Sequence, residues 1–174
     1  MEKAVAVELD DVLNDFSAAL GRAGIVFDPM RNSLRDPLLR ACLYDWRSGA
    51  LSPTAEQAMR DTNAKPGAAE FLRGLAAEGF ETVLFSERDF RFCYGETAAW
   101  LHENGMPCRH LFSVDDMGAF CVDMKIKDVV SRRPLPSFRF RCLVPLESDA
   151  VFPAYANVLY CRGFPEVLAC LKNG

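Results

Sequence analysis

Residues 5–16 read VAVELDDVLNDF. Val5, Ala6 and Val7 form an apolar run with β-branched members, the composition of a buried strand. That run opens directly onto Glu8, Asp10, Asp11 and Asp15. Four carboxylates in eight residues repel one another unless water screens them or a positive charge sits among them. A divalent metal ion would supply that charge, and a solvated acidic turn would remove the need for it.

Outward from this stretch, apolar runs alternate with helical patterns. Ala4–Val7 is the first strand. Phe16–Gly24 reads as a helix with Asn14 or Asp15 at its N-cap. Residues 33–47 place Leu39, Cys42, Leu43 and Trp46 on one helical stripe. Ser52 followed by Pro53 marks a further helix start, leading into Ala55–Asp61. After the break at Lys65-Pro66-Gly67, Ala68–Glu78 is a helix stopped by Gly79. Glu81–Phe85 is a strand that ends at Ser86, and Phe92–Asn104 a helix stopped by Gly105. His110–Val114 reads as a short strand and Asp123–Ser131 as a helix. Phe140–Leu146 and Asn157–Cys161 are strands, and Pro165–Leu171 is the last helix.

This order predicts an α/β fold, a doubly wound parallel sheet with helices on both faces. Residues 16–64 hold helices but no convincing strand. They therefore form a small helical cap inserted after strand one, with residues 1–15 and 65–174 as the core domain. The length of 174 residues suits one core with such an insertion.

The net charge of −4 and the pI near 5.2 argue against a nucleic-acid-binding face, which needs clustered Lys and Arg. Seven cysteines, an odd number without a CxxC pair, argue against a disulfide framework or a structural zinc site. They predict a reduced, cytoplasmic protein. The apolar run near Met1 is too short for a signal peptide, and no stretch approaches the ~20 apolar residues of a membrane span.

Ligands of open parallel sheets bind outside the carboxyl ends of the strands. Three such ends carry polar groups here: Glu8-Leu9-Asp10, Ser86-Glu87-Arg88 and Glu147-Ser148-Asp149. Lys125 and Lys127 lie between the second and third. Carboxylates, a hydroxyl and an ammonium at one sheet edge suit Mg²⁺, a hard cation with oxygen ligands, together with a phosphate. Asp149 equally suits a helix N-cap. The Arg132-Arg133 pair reads as a solvated face, Tyr44 and Trp46 as core aromatics. His102 and His110 are not at metal-ligand spacing.

Val7–Phe16 (VELDDVLNDF) resembles the first motif of haloacid dehalogenase (HAD)-type phosphatases, an apolar strand followed by Asp-x-Asp-Gly-Val. The similarity extends to the 5'(3')-deoxyribonucleotidase-like subgroup, whose motif continues Val-Leu-x-Asp-Phe, here Val12–Phe16. Lys65–Leu72 (KPGAAEFL) resembles that subgroup's Pro-Gly-Ala helix. Thr82–Ser86 (TVLFS) resembles the second motif, and Trp100–Gly105 (WLHENG) the helix end that follows it. The resemblance implies a HAD-like fold with a cap after strand one. It also implies a Mg²⁺-dependent phosphatase acting on a small phosphorylated molecule, nucleotides among them. Glu8 would then be a poor catalytic nucleophile or a metal ligand, Asp10 the general acid/base, Ser86 with Lys127 or Lys125 the phosphate holders, and Glu8, Asp10, Glu147 and Asp149 the metal ligands.

The first motif is degenerate. Glu8 stands where the family has its nucleophilic Asp, and Asp11 where it has Gly. The extra methylene moves a carboxylate by about 1.5 Å, and a misplacement of ~1 Å can cost about 10²-fold in phosphoryl transfer. The expectation is a Mg²⁺/phosphate-type site with at most weak phosphatase activity. The alternative is a non-catalytic relative that binds a ligand or a protein partner.

Overall fold

The computed structural model describes residues 3–106, 108–146 and 153–173. β1 (Ala4–Glu8) is followed by α1 (Phe16–Arg22), α2 (Pro37–Leu43), β2 (Tyr44–Asp45), β3 (Ala50–Leu51) and α3 (Pro53–Arg60). Then come α4 (Ala68–Ala77), β4 (Glu81–Ser86), α5 (Phe90–Glu103), β5 (His110–Ser113) and α6 (Met117–Asp123). β6 (Asp128–Val130), β7 (Arg141–Pro145), β8 (Val158–Cys161) and α7 (Gly163–Lys172) complete the chain. Six strands form one parallel sheet in the order β5-β4-β1-β6-β7-β8. The architecture is the expected doubly wound α/β fold.

The sheet is buried on both faces, which is why its strands are continuous apolar runs rather than alternating ones. Val5, Val7, Leu84, Val130 and Leu143 pack beneath α4, α5 and α7. Ala6, Val83, Phe85, Val129 and Cys142 pack on the other face, against Met117 and Cys121 of α6. Residues between β1 and α4 build most of a third cluster, with Phe16, Leu20, Leu34, Leu43 and Ala58, joined by Phe90, Phe92 and Cys93 of α5. Two-residue strands β2 and β3 pair antiparallel within it. They were not foreseen, because so short a hairpin leaves no periodic trace.

Local chemistry sets the ends of this insertion. Ser52 Oγ accepts from Ala55 N at 3.2 Å and starts α3, with Pro53 at the first helical position. Asp15 occupies the N-cap position of α1 but makes no capping bond. Its carboxylate instead accepts from Asn63 N and Nδ2, at 2.6 and 3.2 Å, tying the two ends of the insertion together. Asn14 Oδ1 serves the helix start by accepting from Phe16 N.

One element is corrected. The expected helix over 123–131 is a helix end, a turn and a strand. α6 stops at Asp123, Lys125 takes a left-handed φ of 54°, and β6 follows. Asp128, Val129 and Val130 lie beside Val5, Ala6 and Val7 of β1. A three-residue strand is too short for sequence periodicity to separate from a helical turn. Its position beside β1 decides which residues meet Glu8.

Gly67 precedes α4 with φ +81°, and a Cβ there would touch Phe164 at 3.6 Å. Space is adequate, so the backbone sets the cost. Gly67→Ala should lose about 1–2 kcal/mol, read as a lower urea midpoint at unchanged slope.

Candidate functional site

β4, β1 and β6 are neighbours, so their carboxyl ends converge. Glu8 and Asp10 follow from β1, Ser86, Glu87 and Arg88 from β4, and Ser131, Arg132 and Arg133 from β6. Glu8, Asp10, Ser86 and Ser131 are 0% exposed, and Glu87, Arg88 and Arg132 nearly so. Seven polar or charged residues sealed from water must satisfy one another.

They do so through two arginines. Arg88 grips Asp10 as a fork, Nη2 to Oδ1 at 2.5 Å and Nε to Oδ2 at 3.1 Å. Ser86 Oγ donates to the same Oδ2 at 2.5 Å and accepts from Arg88 N. The hydroxyl is thus spent inside the cluster. Arg132 stands between two acids. Its Nη1 lies 2.8 Å from Glu8 Oε1 and its Nη2 donates to Glu87 Oε2 at 2.9 Å. Neither Glu8 Oε1 nor Arg132 Nη1 makes an aligned hydrogen bond, so that contact is an electrostatic one. Glu8 Oε2 accepts from Ser131 Oγ at 2.8 Å and from Arg132 N at 2.9 Å. Arg133 Nη2 donates to Glu87 Oε1 at 2.8 Å.

The same arginines hold the insertion against the core. Arg132 Nε donates to Pro29 O, and both Arg132 and Arg133 reach Asn32 O. Glu87 Oε2 accepts from Leu34 N. Arg88 lies 4.0 Å over the Phe16 ring and contacts Met59 Sδ. Arg35, from the insertion, donates to Val114 O, Ser113 Oγ and Arg88 O.

Burial pushes the Glu8 carboxyl above its usual range, against the lowering pull of Arg132 and the bonds from Arg132 N and Ser131. Asp11 is likewise raised by burial. It holds a left-handed φ of 62° where the resembled motif has Gly, secured by Ser17 N and Oγ donating to Oδ1 at 2.9 and 2.6 Å. Outside the cluster, Arg91 draws the Asp89 carboxyl down to about 2.

Of the expected site residues, the fold brings Glu8, Asp10 and Ser86 together. Lys127 and Lys125 do not join them. Asp128 pairs with Val5, so Lys127 lies at the amino edge of the sheet. It is about four strand residues from Glu8, roughly 13 Å. Glu147 and Asp149 lie outside the described residues, following β7, which is two strands from β1. The solvated reading of Arg132-Arg133 is corrected, because the Arg132 side chain is 2% exposed. Ser131 and Arg132 are members that sequence reasoning missed, and Glu87 and Arg88, noted there only as part of a polar strand end, were given no role in the site. The available signal was chemical: buried acids demand a cation, and Arg132 stands two residues past the paired valines of β6.

Among the described residues, Glu8, Asp10 and Glu87 already face the guanidinium groups of Arg88, Arg132 and Arg133. A divalent ion at these acids would compete with an arginine for its ligands, and Asp11 Oδ2 is the one carboxylate oxygen nearby that is buried without a protein partner and away from an arginine. Among the described residues, no three His, Cys, Asp or Glu side chains gather in a ligating arrangement.

No family model matches the chain, and no curated protein matches its sequence. Solved structures do match. The HAD family hydrolase of Deinococcus radiodurans R1, solved with phosphate and sodium, aligns with a TM-score of 0.53 at 19% identity, over 98% of this chain and 95% of that one. The haloacid dehalogenase-like protein SP0104 of Streptococcus pneumoniae aligns with a TM-score of 0.57 at 11% identity, over 97% of each chain. The HAD-hydrolase YfnB of Bacillus subtilis, solved with magnesium, aligns with a TM-score of 0.54 at 13% identity, over 97% of this chain and 98% of that one. At these identities the likeness is one of fold, and the chain has the HAD-like α/β fold. Among the described residues, no helix is long and apolar enough to cross a membrane.

Two outcomes follow from the charges. Arg132→Ala strands Glu8 and Glu87 without their buried cation and should cost about 3–5 kcal/mol at neutral pH. A protonated Glu8 needs no cation, so the deficit should shrink as pH falls through the raised Glu8 pKa, in denaturation curves taken at neutral and mildly acidic pH. Asp89 has the opposite sign. Its lowered pKa contributes stability above the ordinary value of 3.8, and that stability is lost as pH falls towards about 2. Asp89→Asn should flatten that acid limb of the stability profile.

Proposed function

We propose that this HAD-like protein is non-catalytic and works as a protein-interaction module. The observation that carries this reading is the occupation of the carboxyl-edge site by its own arginines. In-line phosphoryl transfer needs a nucleophile that reaches phosphorus, an electrostatic clamp on the phosphate and a path for substrate. Here Glu8 is fully buried and held by Arg132, Ser131 and a backbone N–H. Asp10 is fully buried beneath Arg88 and Ser86. The insertion is hydrogen-bonded across both.

A covalently attached guanidinium supplies the charge that an exchangeable metal supplies elsewhere, but it opens no coordination position for substrate. The polar residues of the HAD-like active site thus serve as a structural core, and the outer surface is left to carry recognition.

The test pairs calorimetric titration of Mg²⁺, alone and with beryllofluoride, with a phosphate-release assay on a panel of mononucleotides. The expected result is no heat of binding and no release above background. Glu8→Asp should leave both results unchanged, because Arg132 and Arg88 stay in place. Mg²⁺-dependent phosphate release by the wild-type protein, or its appearance in Glu8→Asp, would overturn the reading.

A further inference from the structure

The amino edge of the sheet, opposite the buried acids, carries a groove of about 970 Å³ between the β6–β7 loop and the start of β8. Lys127, Phe138, Arg139, Arg141, Tyr155 and Leu159 shape it. Phe138 is fully exposed at 106%, and Leu159 and Tyr155 are also exposed. A phenylalanine left wholly in water loses its burial energy, and the chain around it is firmly held. Asn157 Oδ1 accepts from Ser137 N, and Asn157 Nδ2 donates to Leu135 O and Phe140 O. Leu135 and Phe140 both pack into the core beneath the sheet. The loop is anchored on both sides of Phe138, which stands out from a fixed frame.

Charge defines what fits there. Lys127 and Arg139 are exposed, and their side chains have no ion-pair or hydrogen-bond partner among the described residues. Arg141 is paired with Asp128 at 2.6 Å. The groove is therefore locally positive on a chain of net charge −4. Aromatic and arginine side chains are the residues that anchor protein interfaces. Opposite charge at the rim speeds encounter and selects partners. A nucleic-acid strand is a poorer match, because it would need many more cations to offset its phosphates and those of an acidic protein.

We infer that this groove binds an acidic segment of a partner protein, with an apolar side chain of that segment against Phe138, Tyr155 and Leu159 and its carboxylates on Lys127 and Arg139. This site is separate from the carboxyl-edge cluster and stands whether or not that cluster is silent.

The experiment selects binders from a phage-displayed random peptide library against the whole folded protein, then measures the enriched sequences as synthetic peptides by fluorescence anisotropy. The expected peptides carry Asp or Glu on both sides of a Leu, Phe or Met. Phe138→Ala, Lys127→Glu and Arg139→Glu should each weaken binding about tenfold or more, and added salt should weaken it further. Leu38→Ala, an exposed position in the insertion, should leave it unchanged. All four positions are on the surface, and circular dichroism verifies that each variant is folded. The proposal is overturned if no sequence is enriched or if enriched peptides bind Phe138→Ala as tightly as wild type. Oligo-dT displacing the peptides with higher affinity would overturn it in favour of nucleic acid. A dimer in sedimentation that Phe138→Ala dissolves would overturn it in favour of a second copy of the chain.

Discussion

Glu8, Asp10 and Glu87 lie out of reach of water at the carboxyl edge of this sheet, and the molecule is organised around their neutralisation. An isolated buried carboxylate costs several kcal/mol, and two adjacent ones cost more through repulsion. Arg88 and Arg132, themselves buried against Glu8, Asp10 and Glu87, offset much of that cost, though at Glu8 burial still outweighs the pull of Arg132. The strand ends share the partners: acids from β1, an acid and a base from β4, bases from β6. The parallel order β4-β1-β6 is what brings the partners into register.

The guanidinium groups serve a second purpose. A carboxylate takes only part of what an arginine can donate, because the planar fork carries five N–H groups. The remaining donors reach Pro29 O and Asn32 O in the insertion, and Thr97 in α5. The rings of Phe16 and Phe27 lie against the guanidinium faces. Neutralising the acids and fastening the insertion are thus one structural event. A metal ion would favour oxygen ligands and retained waters, which suits a wet, open cleft. Arginines suit a dry, closed one.

The sealed acid–arginine cluster at one edge contrasts with the exposed groove at the other. At the amino edge, Lys127, Arg139 and Phe138 are exposed around a groove, and the two cationic side chains have no ion-pair or hydrogen-bond partner among the described residues. Parallel α/β sheets ordinarily place their chemistry at the carboxyl edge. Here the acids and arginines of that edge pack as a core, and a separate set of apolar and cationic side chains lines a groove at the other end.

Much of this was written locally in the chain. Val5–Val7, Glu81–Phe85 and Arg141–Pro145 are apolar over several residues, so burial on both faces is legible without coordinates. Ser52-Pro53 and the break at Lys65-Pro66-Gly67 place helix starts through capping and backbone geometry alone. That Glu8, Asp10 and Ser86 share one sheet edge also follows from the alternation of strands and helices. The role of Arg132 does not. It depends on β6, a strand of three residues whose identity comes from hydrogen bonds to β1 rather than from any periodicity of its own. The location of Lys127 at the far edge depends on the same pairing. Sequence determined the fold class and the crowding of acids, because both are short-range patterns. Tertiary structure decided what neutralises those acids, because the partners are 45 to 124 residues apart in the chain, and only sheet order brings such residues within reach of one another.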